Sequence, residues 1–223
     1  SKLAGEREGT AGSGEIWRFA GPGSAGTKIA DIPGLVPADA QLAPDGKTIL
    51  FTAYRSPAWA LFVVRLDSAG VVRDYFDSKG STVTAGARLS PDGHWVAFNS
   101  DESGANELLV RSYPNPATRI QVSAGGGADP AWSRDGTKIY YRSGRALIAA
   151  RVSTTPEFRV LGRDTVVANA DPILGPFDAI VPQYDVDRDG RFIGLTPMAR
   201  DFDIVVSPNW ITEFRERIRA AHP

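Results

Sequence analysis

Cysteine is absent from this 223-residue chain, methionine occurs once and histidine twice. Lack of thiols excludes disulfides, thiolate metal sites and a cysteine nucleophile. It leaves the compartment open, because cytosolic and exported bacterial proteins both manage without cysteine. The two histidines, His94 and His222, are too few for histidine-rich metal catalysis. No serine stands in a Gly-x-Ser-x-Gly elbow, so a serine-hydrolase triad has neither its nucleophile nor its base. No apolar run approaches the ~18 residues of a membrane span, and no signal-peptide pattern stands at the front. No block of like charge occurs either: 25 Lys and Arg oppose 26 Asp and Glu, for a net charge of −1. That balance excludes an electrostatic footprint for nucleic acid. Beginning on Ser1, the chain is expected to be a processed product or a piece of a longer polypeptide.

Glycine and proline are plentiful, at 23 and 16 residues, and 42% of the chain is hydrophobic. Many turns and short apolar runs suit an all-β domain with a substantial core. Four copies of one turn organise these runs: Pro44-Asp45-Gly46, Pro91-Asp92-Gly93, Arg134-Asp135-Gly136 and Arg188-Asp189-Gly190, each followed by an apolar strand. Their aspartates recur at intervals of 47, 43 and 54 residues. A four-stranded propeller blade takes roughly 40–50 residues, so the repeat reads as blades. Pro or Arg opens each corner, Asp bonds back to a following N–H, and Gly supplies positive φ. Asp45, Gly46, Asp92, Gly93, Asp135, Gly136, Asp189 and Gly190 are therefore read as structural turn residues.

The pattern predicts a flexible segment over 1–14 and blades over 15–207. A partial first blade covers 15–32, and fuller ones cover 40–77, 86–123, 128–168 and 180–207. Glu15 to Phe19 reads as a third strand with nothing before it, and the last unit has no evident fourth strand. About four to five blades are thus visible, and blades from elsewhere are expected to complete the ring. Beyond them, 208–223 reads as a short helix and tail. Asn209 is its N-cap, and Ile211, Phe214 and Ile218 form an apolar stripe suited to partner contact.

Several motifs imitate chemistry. Gly21-Pro22-Gly23-Ser24-Ala25-Gly26-Thr27-Lys28 approximates a phosphate loop, but Lys and Thr are reversed and no helix follows. Asp185, Asp187 and Asp189 alternate ahead of Gly190 as a calcium loop begins, yet the twelfth position is Thr196 where Glu is needed. The corner explains the same residues, so no metal and no cofactor is expected. Trp17, Trp95, Trp132 and Trp210 fall in or beside strands, where packing is the default reading, although exposed aromatics also anchor carbohydrate or peptide. Trp59, in Ser56-Pro57-Ala58-Trp59, reads as an exposed loop tip and a partner contact.

The turns resemble the WD40-like repeats of TolB-type propellers. Gln183 to Phe192, followed by Asp203-Ile204-Val205-Val206-Ser207-Pro208-Asn209-Trp210, is similar to the end of TolB-like propellers attached to bacterial membrane-anchored serine/threonine kinases. The resemblance runs from about residue 15 to 210 and implies an extracytoplasmic or periplasmic domain that binds or scaffolds. Kinase chemistry itself is missing, with no glycine-rich ATP loop, His-Arg-Asp or Asp-Phe-Gly. The leading expectation is a non-enzymatic scaffold or accessory subunit on a membrane-associated protein complex, or bound to the rest of its own precursor. A sensor taking a small ligand or peptide at the channel mouth is the second reading. A propeller hydrolase or lyase with a channel metal is the third. Acidic side chains converging in the channel would favour the enzyme, and an apolar rim would favour the scaffold.

Overall fold

The computed structural model describes residues 13–19, 21, 25–67, 70–78, 83–171, 184–187 and 189–194. Local chemistry first makes the corners. In each, the residue three before the glycine accepts its N–H and donates to a carbonyl further on: Ala43 pairs with Gly46 and Thr48, Ser90 with Gly93 and Trp95, Ser133 with Gly136 and Lys138, and Asp187 with Gly190 and Arg191. The four glycines have φ of +65°, +73°, +70° and +78°, a region that side chains with a Cβ avoid. Asp45 Oδ1 accepts the N–H groups of Lys47 and Thr48 at 2.8 and 3.0 Å. Ser133 Oγ donates to Asp135 at 2.6 Å and accepts the Lys138 N–H at 2.9 Å.

The described residues form sixteen strands: β1 (Ser13–Arg18), β2 (Thr27–Pro33), β3 (Val36–Leu42), β4 (Thr48–Arg55), β5 (Ala58–Arg65), β6 (Val72–Asp74), β7 (Thr84–Leu89), β8 (Trp95–Ser100), β9 (Glu107–Ser112), β10 (Ile120–Gln121), β11 (Ala128–Trp132), β12 (Lys138–Ser143), β13 (Ala146–Ser153), β14 (Arg159–Val167), β15 (Tyr184–Val186) and β16 (Phe192–Gly194). They form three four-stranded antiparallel meanders, β3 to β6, β7 to β10 and β11 to β14, flanked by the two-stranded sheets β1–β2 and β15–β16.

Alternation along the strands stacks these sheets face to face. Successive residues point to opposite faces, and here both faces are apolar. Phe51 and Phe62 pack with Ile16, Ala30 and Ile32 of β1–β2. Their neighbours Leu50 and Leu61 pack with Val96, Phe98 and Leu109 of the next sheet. Ala97, Leu108 and Val110 turn the other way, onto Ile139, Tyr141 and Ala150. Tyr140, Leu147 and Ala149 then meet Tyr184 and Phe192. The core is therefore a series of layers between blades, and Tyr75 adds a tie by donating its hydroxyl to the Ser112 carbonyl at 2.6 Å.

Several strands run beyond their apolar signal. β3 runs from Val36 to Leu42, and β14 from Arg159 to Val167. Both carry charged, glycine or proline positions that mask alternation, and hydrogen bonding to β4 and β13 extends them. Trp17 differs from the packed reading: it is 36% exposed, on the face of β1 turned away from the core. Trp59 lies in β5 just past the exposed Ser56-Pro57 turn, partly buried, with its ring 5.5 Å from that of Tyr54. The reading of 208–223 as a helix, with Ile211, Phe214 and Ile218, lies outside the described residues. Among the described residues no helix is long and apolar enough to cross a membrane.

Candidate functional site

The first strands of four successive sheets, β3, β7, β11 and β15, bound a cavity of about 490 Å³ that opens among the corners. Each of the first three is bulged in the same region: register slips between Pro37 and Asp39, between Ala85 and Arg88, and between Ala128 and Ala131. A bulge turns the residue beyond it and re-aims its side chain, which is why bulges gather beside functional sites. Here Asp39, Arg88 and Ala131, the residues just past the slips, line the cavity.

Arg88 Nη1 donates to Asp39 Oδ2 at 2.5 Å and to the Ala87 carbonyl at 2.8 Å, so that a salt bridge joins two blades. Gln41 Oε1 accepts the Leu89 N–H at 2.8 Å, and Trp132 Nε1 donates to the Arg88 carbonyl at 3.0 Å. First strands that share no sheet are thus laced by side chains. Leu42, 56% exposed, and the exposed Arg134 and Asp185 also line the cavity.

A second polar group is buried close by. Arg142 is only 1% exposed and bonds Asp171 Oδ1 at 2.5 Å, while Arg145 takes the other carboxylate oxygen at 2.8 Å. Burial, and then the charge of Asp129, push the Tyr184 phenol well above its ordinary range, against the opposing pull of Arg142 and Arg88. Asp129 holds φ of +55°, uncommon outside glycine, at the bulge of β11.

Of the candidate metal and partner-contact residues singled out from sequence and placed here, Asp185 reaches the cavity wall, as do Trp132 and the corner residues Pro44, Pro91 and Arg134. Asp187 and Asp189 stay at the fourth corner. Asp187 Oδ1 accepts the N–H groups of Asp189 and Arg191 at 2.8 and 2.9 Å, its Oδ2 meets Arg191 Nε at 2.8 Å, and Asp189 pairs with the same guanidinium. Three carboxylates in alternation therefore do not converge on one point, and among the described residues no His, Asp or Glu group is arranged to hold a metal. Trp59 belongs to β5, away from this cavity. Asp39, Gln41 and Arg88 escaped sequence reading, and Arg134 was read only as the opener of a corner; the available signal was their place on or just after each first strand, within a few residues of a corner.

No family model matches the chain. An uncharacterized protein of Agrobacterium fabrum is 31% identical over 101 residues, covering 45% of this chain and 33% of that one. Among solved structures, TolB from Acinetobacter baumannii aligns with a TM-score of 0.51 at 21% identity, over 69% of this chain and 38% of its own. A puromycin-hydrolyzing peptidase of Mycobacterium tuberculosis aligns at 0.56 and 18% identity, over 85% and 33%. The chain thus spans only about a third of each of these proteins. Since one of them is a peptidase, the architecture alone does not decide whether this chain catalyses a reaction. Stacked antiparallel four-stranded sheets and these likenesses together establish a TolB-like β-propeller fold.

Proposed function

We propose that the chain is a non-enzymatic extracytoplasmic propeller, a scaffold or accessory subunit whose corner face docks on a membrane-associated protein complex or on the rest of its own precursor. The make-up of the cavity mouth carries this reading. Exposed Leu42 shares the cavity lining with Arg134 and Trp132, and the charges of Arg88 and Asp39 already neutralise one another. Apolar and arginine anchors around a paired, largely desolvated core are what protein contacts use. Location outside the cytoplasm rests on the resemblance of the repeats and the 183–210 segment to propellers of membrane-anchored kinases.

The test is quantitative co-purification from native membranes with wild-type protein and with Leu42→Asp. Loss of the same proteins by at least about tenfold, with an unchanged melting temperature, is expected when a contact anchor becomes a charge. Equal recovery would reject the corner face as the docking surface. The sensor reading draws on the size of the cavity, about 490 Å³, within the range of roughly 300–1,000 Å³ typical of ligand sites. Native mass spectrometry of protein purified from its host separates the two, since a sensor carries a small-molecule adduct displaced by Arg88→Ala.

A further inference from the structure

Opposite the first strands that bound the cavity, the sheets end on β2, β6, β10 and β14. An end strand offers a row of N–H and C=O groups to any extended chain that meets it. Two of these edges are very short: β6 has three residues and β10 two, and both pair with their neighbours in unbroken register. The other two are long, with nine residues in β14 and seven in β2, and both are bulged. On β13 the neighbours Leu147 and Ile148 face Val167 and Thr165, while Arg151 and Val152 face Gly162 and Val160, so Val166 and Leu161 are extra residues. On β1 the neighbours Ile16 and Trp17 face Ala30 and Lys28, which leaves Ile29 extra. Each slip places its extra residue on the outer strand and not on the inner one. Leu161 and Val166, 61% and 42% exposed, thus stand outside the regular alternation of β14.

We infer that these outer edges are built to refuse an added strand, so that no partner and no second copy of this chain binds by extending a blade. A bulge leaves its extra residue unpaired and increases the local twist. A straight incoming strand therefore keeps register with β14 only over the four residues between its bulges, Gly162 to Thr165. Charge occupies that window. Arg163 Nε donates to the Val122 carbonyl of the neighbouring blade at 2.6 Å, and Asp164 Oδ2 meets Arg151 Nε at 3.1 Å. A Cβ on Gly162 would stand 2.5 Å from Arg151 Nη2, so the guanidinium lies against β14 where only glycine leaves room. An added strand would draw this pair out of water, a cost that its mutual attraction offsets poorly. On β2 the bulge itself is covered. A Cβ on Gly70 would stand 2.2 Å from the Ile29 carbonyl oxygen, so the link from β5 to β6 rests on the bulged residue. Lys28 and Asp31 flank it as an exposed ion pair at 2.8 Å, and the strand ends on Pro33, which has no N–H to offer. Shortness protects two edges, and bulges with charge protect the two that are long. The inference concerns the perimeter alone and does not depend on the function proposed for the corner face.

Sedimentation and hydrogen exchange of the whole 223-residue chain test this on β14. Between about 1 and 100 μM, where unpaired strand edges drive association, exchange of the wild-type amides over 159–167 is expected to stay constant. A straightened variant lacks Leu161 and Val166 and carries Arg163→Val and Asp164→Thr. It should associate at concentrations at least about tenfold lower than wild type, as a flat uncharged edge does, and its new protection should fall on β14. Circular dichroism checks that it is folded. Should the deletions prevent folding, the two substitutions alone keep the chain length and should still give protection over 159–167 that grows with concentration. Wild-type amides in that span that slow with concentration would overturn the proposal, because β14 would then be a self-pairing edge. Folded variants that associate no more readily than wild type would overturn it as well.

Discussion

At the scale of single residues, backbone conformation outweighs side-chain identity in this protein. Gly93 holds φ of +73°, and a Cβ there would also press on Pro44 of the neighbouring corner, 3.1 Å away. Gly93→Val therefore meets strain and crowding together. Loss of about 1–3 kcal/mol of stability is expected, read as a lower melting temperature, and an unchanged melt would remove the turn from the account of stability. Asp129 illustrates the converse, a non-glycine residue held at positive φ within the bulge of β11. Such strain persists where surrounding structure over-determines it, frequently at functional sites.

Elements add electrostatics to that geometry. At Asp135 the Ser133 hydroxyl first, then the N–H and hydroxyl of Thr137, hold the carboxyl below its ordinary range. At Asp187 the Arg191 N–H leads the same shift. At Asp45 partial burial pushes upward, but bonds from Lys47 and Thr48 outweigh it. A folded-state pKa lowered in this way contributes stability that is present above the unfolded value of about 3.9 and is lost as pH falls through the folded one. The melting temperature should consequently decline below about pH 4, and Asp135→Asn should flatten that decline while lowering stability at neutral pH. Parallel melting curves for the two proteins would show that this corner is not acid-sensitive.

Across the whole molecule, stability resides between blades rather than within them. Every middle strand gives alternate residues to two different apolar layers, so no sheet buries its surface alone. Tyr75, whose hydroxyl reaches the Ser112 carbonyl of the next blade, tests this coupling. Tyr75→Phe keeps the ring and leaves that carbonyl short of a donor, which costs about 1 kcal/mol. Urea unfolding should show a lower midpoint with an unchanged slope, as one cooperative unit requires. A second transition would mean that the blades unfold independently.

Sequence alone determined the all-β propeller class, the corners and the middle strands, because these rest on short-range physics. Asp-Gly turns recur at blade spacing, glycine takes positive φ, and runs such as Ala60 to Val64 are apolar at every position because both faces are buried. Reach was shorter wherever partners lie far apart in the chain. Asp39 and Arg88 are separated by 49 residues, and no local pattern pairs them; bulges in two different blades bring them together. Trp17 carries the composition of a core residue, yet the sheet to which it belongs has two strands and presents its outer face to solvent. Tertiary structure alone decided which polar side chains meet in the cavity between the first strands and which aromatic rings stay uncovered, since both follow from blade stacking and not from propensity.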